Sequence, residues 1–295
     1  MERLNMNNKL YIYMKRILLI LFALSSVIII SCERQCIDNE PYVQDLVGSI
    51  EQLDSDMSTK ATFTDKASFV WNEGDKIGAF TSQNNFASYK LKSGAGTSIA
   101  VFIGSLPAGA SLTGTIIYPK EIAKSLTEND LVISIPNEYT YQRNFIQGDI
   151  SGDSILLPTW SQIADNKFVM KHLGGYFCFE IGNIPVGADR FVFKTTNNKK
   201  INGDFTIDLG SSEPIYYTSQ ASSVEEQTVT INFPSSNSLS SQAFYIPVPV
   251  GEYEYEWSIF RGNEEVSFGE SNSAETVNRR KIKFKQLLSS EIGIY

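Results

Sequence analysis

Histidine is almost missing from this sequence: His172 is the only one in 295 residues. Metal sites built on several histidines are excluded by that count. A Ser-His-Asp triad would have to run through this one side chain, and no G-x-S-x-G elbow supplies the serine. No P-loop and no G-x-G-x-x-G opens a helix. His172 stands at a strand start in "KFVMKHLGGY", where a lone histidine reads as a structural hydrogen bonder. With 33 acidic residues some pair of carboxylates always faces another, so paired acids carry no information. No catalytic residue, cofactor or metal site is assigned, and the chain is not read as an enzyme.

Basic residues are also scarce. Residues 1–32 hold four bases and one acid, which leaves 25 − 4 = 21 basic and 33 − 1 = 32 acidic residues, a net of −11, for the rest. Such a surface repels phosphate backbones and anionic lipid heads, and excludes nucleic acid as a partner. Cysteine is limited to Cys32, Cys36 and Cys178. Cys36 and Cys178 are open to two readings, separate thiols or an exported disulfide. In "YFCFEI" alternation sets Phe177, Phe179 and Ile181 on one face and Cys178 on the other, outside the deepest core layer.

Only one long apolar run is present. Lys15 and Arg16 precede "ILLILFALSSVIII", 14 residues from Ile17 to Ile30, followed by Ser31-Cys32. Basic, apolar and small-residue regions in that order make a signal peptide, and the run is short for a bilayer span of about 20 residues. Cys32 in this position resembles a bacterial lipobox cysteine, which is acylated and becomes the first residue of a lipoprotein. Glu33, in place of an aspartate-led retention signal, implies the outer membrane as destination.

Helix signals are nearly lacking. "PKEIAKSL" offers Pro119, Ile122, Ala123 and Leu126 at helical spacing, enough for about two turns. Val43, Leu46, Val47 and Ile50 also step at helical spacing, with an irregular strand as the other reading. Elsewhere period two dominates, in "GTIIYP", "LVISIP", "YFCFEI", "RFVFKT", "DFTIDL", "QTVTINF", "AFYIPVPV", "YEYEWSIF" and "RRKIKFKQL". These short runs, bounded by Gly, Pro, Asn, Asp or Ser, predict an all-β chain of sandwiches or barrels. "WNEGDKIGAF" (71–80) is expected to be a hairpin turning at Gly74, with Trp71 and Ile77 inward. "WSQIADNK" reads as a polar connection between two halves.

Four weaker features remain. "GDISGDS" places Asp149 and Asp153 in an Asp-rich turn lacking the closing glutamate of an EF-hand loop. Ser154, in "DSI", resembles a bacterial O-glycosylation acceptor. Trp71, Trp160 and Trp257 could form a sugar platform, although aromatics in alternating strands are core residues first. "RRK" at Arg279 to Lys281 reads as a charged, exposed strand edge.

The order of motifs resembles the fimbrillin family, the Bacteroidetes lipoprotein pilins related to major and minor fimbrial subunits. The residues that carry the resemblance are "TKATF", "WNEGDKIGAF", "VFIGSLP", "IIYP", "ISIP", "FVMKHLGGYFCFEI" and "FYIPVPVGEY". It implies two tandem transthyretin-like β-sandwich domains behind the signal peptide and tether. The expected divisions are 1–31 signal peptide, 32–60 lipidated tether, 61–165 first sandwich and 166–295 second sandwich, with a candidate donor strand in 281–295. It further implies lipid at Cys32, proteolytic removal of the tether after Lys60, and assembly with other fimbrial subunits by strand addition at the cell surface. Outer membrane, other subunits and a host or bacterial surface ligand would then be the partners. The alternative function is a monomeric surface glycan-binding lipoprotein.

Overall fold

The computed structural model describes residues 42–55, 70–140, 157–182, 184–233 and 241–287. Cys32, Cys36, Lys60, Asp149, Asp153 and Ser154 lie outside them. The described chain is all-β, as the period-two runs predict, and helix among these residues is confined to two single 3-10 turns, Lys120–Ile122 and Glu225–Gln227.

The first strands are β1 Tyr42–Ile50, β2 Asp54–Ser55, β3 Lys76–Thr81, β4 Phe86–Ser93, β5 Ile99–Leu106, β6 Leu112–Tyr118, β7 Ala123–Leu126, β8 Asp130–Ile135 and β9 Glu138–Thr140. They are followed by β10 Thr159–Gln162, β11 Lys167–His172, β12 Gly175–Gly182, β13 Arg190–Thr195, β14 Gly203–Asp208, β15 Thr228–Asn232 and β16 Ser241–Val248. The last are β17 Gly251–Tyr253, β18 Tyr255–Arg261, β19 Glu264–Glu270, β20 Glu275–Val277 and β21 Lys281–Leu287.

Seven strands close into a barrel in the order β1-β11-β10-β6-β3-β4-β5. Its interior is filled by alternate strand side chains, among them Leu46, Ile77, Tyr89, Phe102, Ile116, Phe168 and Met170, and by Trp71 from the connection before β3. Beyond the barrel lie a four-stranded sheet, β16-β12-β21-β2, and a five-stranded sheet, β19-β18-β13-β15-β9. Between these two sheets sits an aromatic core of Phe177, Phe179, Phe191, Phe193, Tyr253, Tyr255 and Trp257. Edge and tilted ring contacts such as Phe177–Tyr255 at 5.0 Å and Phe179–Phe191 at 5.2 Å suit the ring quadrupoles. Strand β12 is buried on both faces: Phe177, Phe179 and Ile181 enter this aromatic core, while Tyr176 and Cys178 enter the barrel core. The expected split of "YFCFEI" into two faces therefore holds. Cys178 itself is only 1% exposed, so its face is a core layer as well.

Several local expectations are corrected. "WSQIADNK" is the β10–β11 hairpin of the barrel, closed by Asp165 and Asn166 at φ 51° and 59°. Two left-handed residues make the tight turn whose twist matches its strands, and Ala164 and Lys167 exchange both backbone hydrogen bonds at 2.9 Å. "PKEIAKSL" forms one 3-10 turn and then β7. The unpaired edge of β8 draws Ala123–Leu126 into antiparallel pairing, and Thr127 and Asp130 close the connection through Thr127 N–H to Asp130 O, 2.9 Å. "WNEGDKIGAF" contributes a single strand, β3, preceded by a turn at Gly74 (φ 94°). Trp71 and Ile77 are both fully buried, as expected. Asp75 organises the turn by accepting from Asn72 N–H at 2.8 Å and from the Tyr118 hydroxyl at 2.9 Å.

Candidate functional site

Strand β1 lies within residues 32–60, the segment the sequence marks as a tether. It pairs antiparallel with β5 from Tyr42↔Leu106 to Ser49↔Ile99, and parallel with β11 from Val47↔Lys167 to Ile50↔Met170. Without it the barrel would present two open edges of unpaired backbone groups, which cost free energy when buried and invite another strand when exposed. Leu46, Ile50 and, just beyond the strand, Leu53 sit in the barrel core. Burying each stabilises the closed form by roughly 2 kcal/mol.

The inward position between Leu46 and Ile50 belongs to Gly48, and the Phe168 ring fills the space that a side chain would take. A Cβ built on Gly48 would stand 1.9 Å from that ring. Val43 and Val47 point outward, 59% and 36% exposed. At the rim, Lys92 and Asp45 form an ion pair at 2.6 Å, and Gln44 donates to Asn166 Oδ1 at 2.6 Å. The helical reading of this segment selected Val43 and Val47 together with Leu46 and Ile50; the strand separates them onto opposite faces.

After β1 the chain meets a polar clamp. Glu51 Oε1 accepts from the backbone N–H of His172 at 2.5 Å and from the Arg279 guanidinium, while Arg280 lies 3.8 Å from Oε2. The Arg279 and Glu51 side chains are 19% and 16% exposed, so the pair is shielded from water and stronger than a surface ion pair. "RRK" is thus the turn entering β21, with Arg279 directed onto Glu51, and not an exposed edge.

His172 ends β11, where the sequence reading placed it at a strand start, and is fully buried. Its Nε2 lies 3.0 Å from the Glu51 carbonyl oxygen and its Nδ1 lies 2.8 Å from the Tyr176 hydroxyl. A carbonyl can only accept, so Nε2 carries the proton and Nδ1 accepts from Tyr176. Burial pushes the imidazole pKa down to about 3; the Glu51 backbone hydrogen bond opposes that shift, and the charges of Arg279 and Arg280 add to it. Burial likewise raises the Tyr176 hydroxyl well above its ordinary value. His172 is a neutral connector, in keeping with the structural role expected of it. Nothing in the sequence announced Glu51 as its partner, since the two are far apart in the chain.

The other sequence candidates do not converge on this place. Trp71, Trp160 and Trp257 are 0%, 6% and 5% exposed, core residues in separate layers, and do not form a shared platform. The Cys178 thiol sits by the Tyr245 hydroxyl in the barrel core. Among the described residues no group of three or more metal-ligating side chains occurs. In the candidate donor segment, Lys281–Leu287 pairs parallel with β12 in its own sheet, and Ile282 and Leu287 are buried.

No protein-family model matches the chain, and no curated protein sequence matches it. Solved structures do. One protein from Bacteroides ovatus ascribed to cell adhesion is similar at 9% identity and a TM-score of 0.47, over 84% of this chain and 92% of that one. Another so ascribed, from Bacteroides uniformis, is similar at 11% identity and a TM-score of 0.43, over 84% and 94%. A fimbrial protein from Bacteroides ovatus is similar at 10% identity and a TM-score of 0.33, over 84% of this chain and 50% of that one. Likeness at this level assigns neither family nor function, and the functional reading rests on the geometry of β1.

Proposed function

We propose that this protein is a fimbrial subunit or fimbria-associated adhesin of the outer membrane surface, assembled by strand addition, with β1 as a placeholder. The observation that carries the reading is topological. A single strand closes the barrel, it comes from the segment behind the lipobox-like Cys32, and Lys60 follows it before the next barrel strand. Lipid at Cys32 holds the precursor to the membrane; a cut after Lys60 frees β1 and β2 from the body. The emptied seat, with two backbone edges and an apolar floor, then takes an extended strand from another molecule. Because Lys281–Leu287 is built into its own sheet, a strand lent by this chain to a neighbour lies beyond Leu287.

The test uses a non-acylated precursor, Cys32→Ser, treated briefly with trypsin and followed by N-terminal mass and light scattering. The expected product begins at Ala61, is lighter by the residues up to Lys60, and forms a one-to-one complex when a peptide of residues 42–55 is added back. A protein uncut at Lys60, or cut and unable to take up that peptide, overturns the placeholder role. If the cut monomer binds polysaccharide, the glycan-binding alternative takes its place.

A further inference from the structure

The seat of β1 is more selective than an apolar groove. Its floor at Gly48 is the Phe168 ring, which is itself buried and packed 5.9 Å from the Phe102 ring, so there is little room for it to yield to a Cβ. Three residues further along, the seat ends in the Arg279 guanidinium, with Arg280 behind it and the His172 N–H and Nε2–H alongside. These positive and donor groups are held part-buried around one carboxylate and one carbonyl. Withdrawing Glu51 leaves the guanidinium and both His172 donors without that acceptor, a costly state until another carboxylate arrives.

We infer that the strand replacing β1 comes from a different chain and carries the pattern apolar-x-Gly-x-apolar-acid, its glycine over Phe168 and its carboxylate on Arg279. This rests on the release of β1 proposed above. The protein's own residues beyond Leu287, "LSSEIGIY", cannot meet both demands. Seating Ser290 over Phe168 puts Leu288 and Ile292 where Leu46 and Ile50 stand, but brings Gly293 to Arg279 and leaves it without a carboxylate. Seating Gly293 there drives Glu291 into the apolar place of Leu46. Bringing Glu291 to Arg279 sets Leu288 against Phe168. This segment is therefore a poor occupant, and the seat selects a strand of another sequence.

Labelled peptides offered to the trypsin-cut Cys32→Ser protein test this by fluorescence anisotropy. The peptides are a copy of residues 42–55, the same with Glu51→Gln, the same with Gly48→Val, and residues 288–295. The unaltered copy is expected to bind, Glu51→Gln about ten- to hundredfold more weakly, and Gly48→Val and the tail more weakly still. In an Arg279→Gln protein the gap between the copy and its Glu51→Gln form closes. Equal binding by the copy, its two variants and the tail overturns the selectivity while leaving strand exchange intact. Failure of every peptide, the copy included, overturns strand exchange and this inference with it.

Discussion

Gly48 hid the most informative strand of the chain from its own sequence. The inward face of β1 reads Leu46-x-Gly48-x-Ile50, so a residue without a side chain occupies the middle of the apolar row, and the alternation that reveals a strand is broken. The missing volume is supplied from elsewhere, by Phe168. The histidine that follows Phe168 on β11 was legible only as structural; its partners, Glu51, Tyr176, Arg279 and Arg280, meet in space alone. Its depressed pKa makes a pH prediction. Below about pH 6.5 the unfolded chain takes up a proton that the folded one refuses until about pH 3. The unfolded state then binds more protons, so stability conferred by the neutral ring is complete above pH 6.5 and declines as pH falls toward 3. The slope from this group is at most about 1.4 kcal/mol per pH unit. Urea unfolding of the wild type and of His172→Gln at pH 7, 6 and 5 should show a steeper loss in the wild type. Parallel slopes would mean that the imidazole is protonated in the fold.

Strands with a clean period of two were readable one by one, as in "RFVFKT" and "LVISIP", because one set of alternate residues is buried in each. Those that escaped had other reasons. Strand β10 is only Thr159–Gln162, and its turn uses Asp165 and Asn166 in the left-handed region with no glycine to mark it. Strand β7 exists because β8 needed a partner, which a window of eight residues cannot reveal. Which strand pairs with which was beyond the sequence altogether, since β1 meets β5 and β11 through non-local backbone bonds. The two readings left open for 43–50 differ sharply in what single substitutions do. In a strand, Leu46→Ala empties a core position and should cost about 2–5 kcal/mol, whereas Val43→Ala, exposed at 59%, should stay within about 0.5 kcal/mol. Denaturant midpoints at unchanged slope give both values. Comparable losses at the two positions would restore a helical face.

The whole molecule turns on β12, which contributes to two cores at once. Phe177, Phe179 and Ile181 pack under β13 and β18, and Tyr176 and Cys178, from the intervening positions, pack under the barrel. Strand pairing reinforces this coupling: β9 joins β15, and β8 joins β14, across the expected division near residues 160–167. Neither core can lose order without exposing one face of a strand that the other still needs, so the two should unfold in a single step. Reporters exist on both sides, Trp71 in the barrel and Trp257 in the aromatic core. In two variants that each keep one of these tryptophans, the fluorescence transitions should coincide. Ile181→Val, a loss of one methyl group from the aromatic core, should lower both midpoints together, by an amount worth about 1 kcal/mol. The same coupling bears on assembly. A strand that enters the seat of β1 completes the barrel core, and through β12 it stabilises the aromatic core as well. If Ile181→Val moved the Trp257 transition and left that of Trp71 in place, the two cores would be independent, and an incoming strand would stabilise only the barrel it enters.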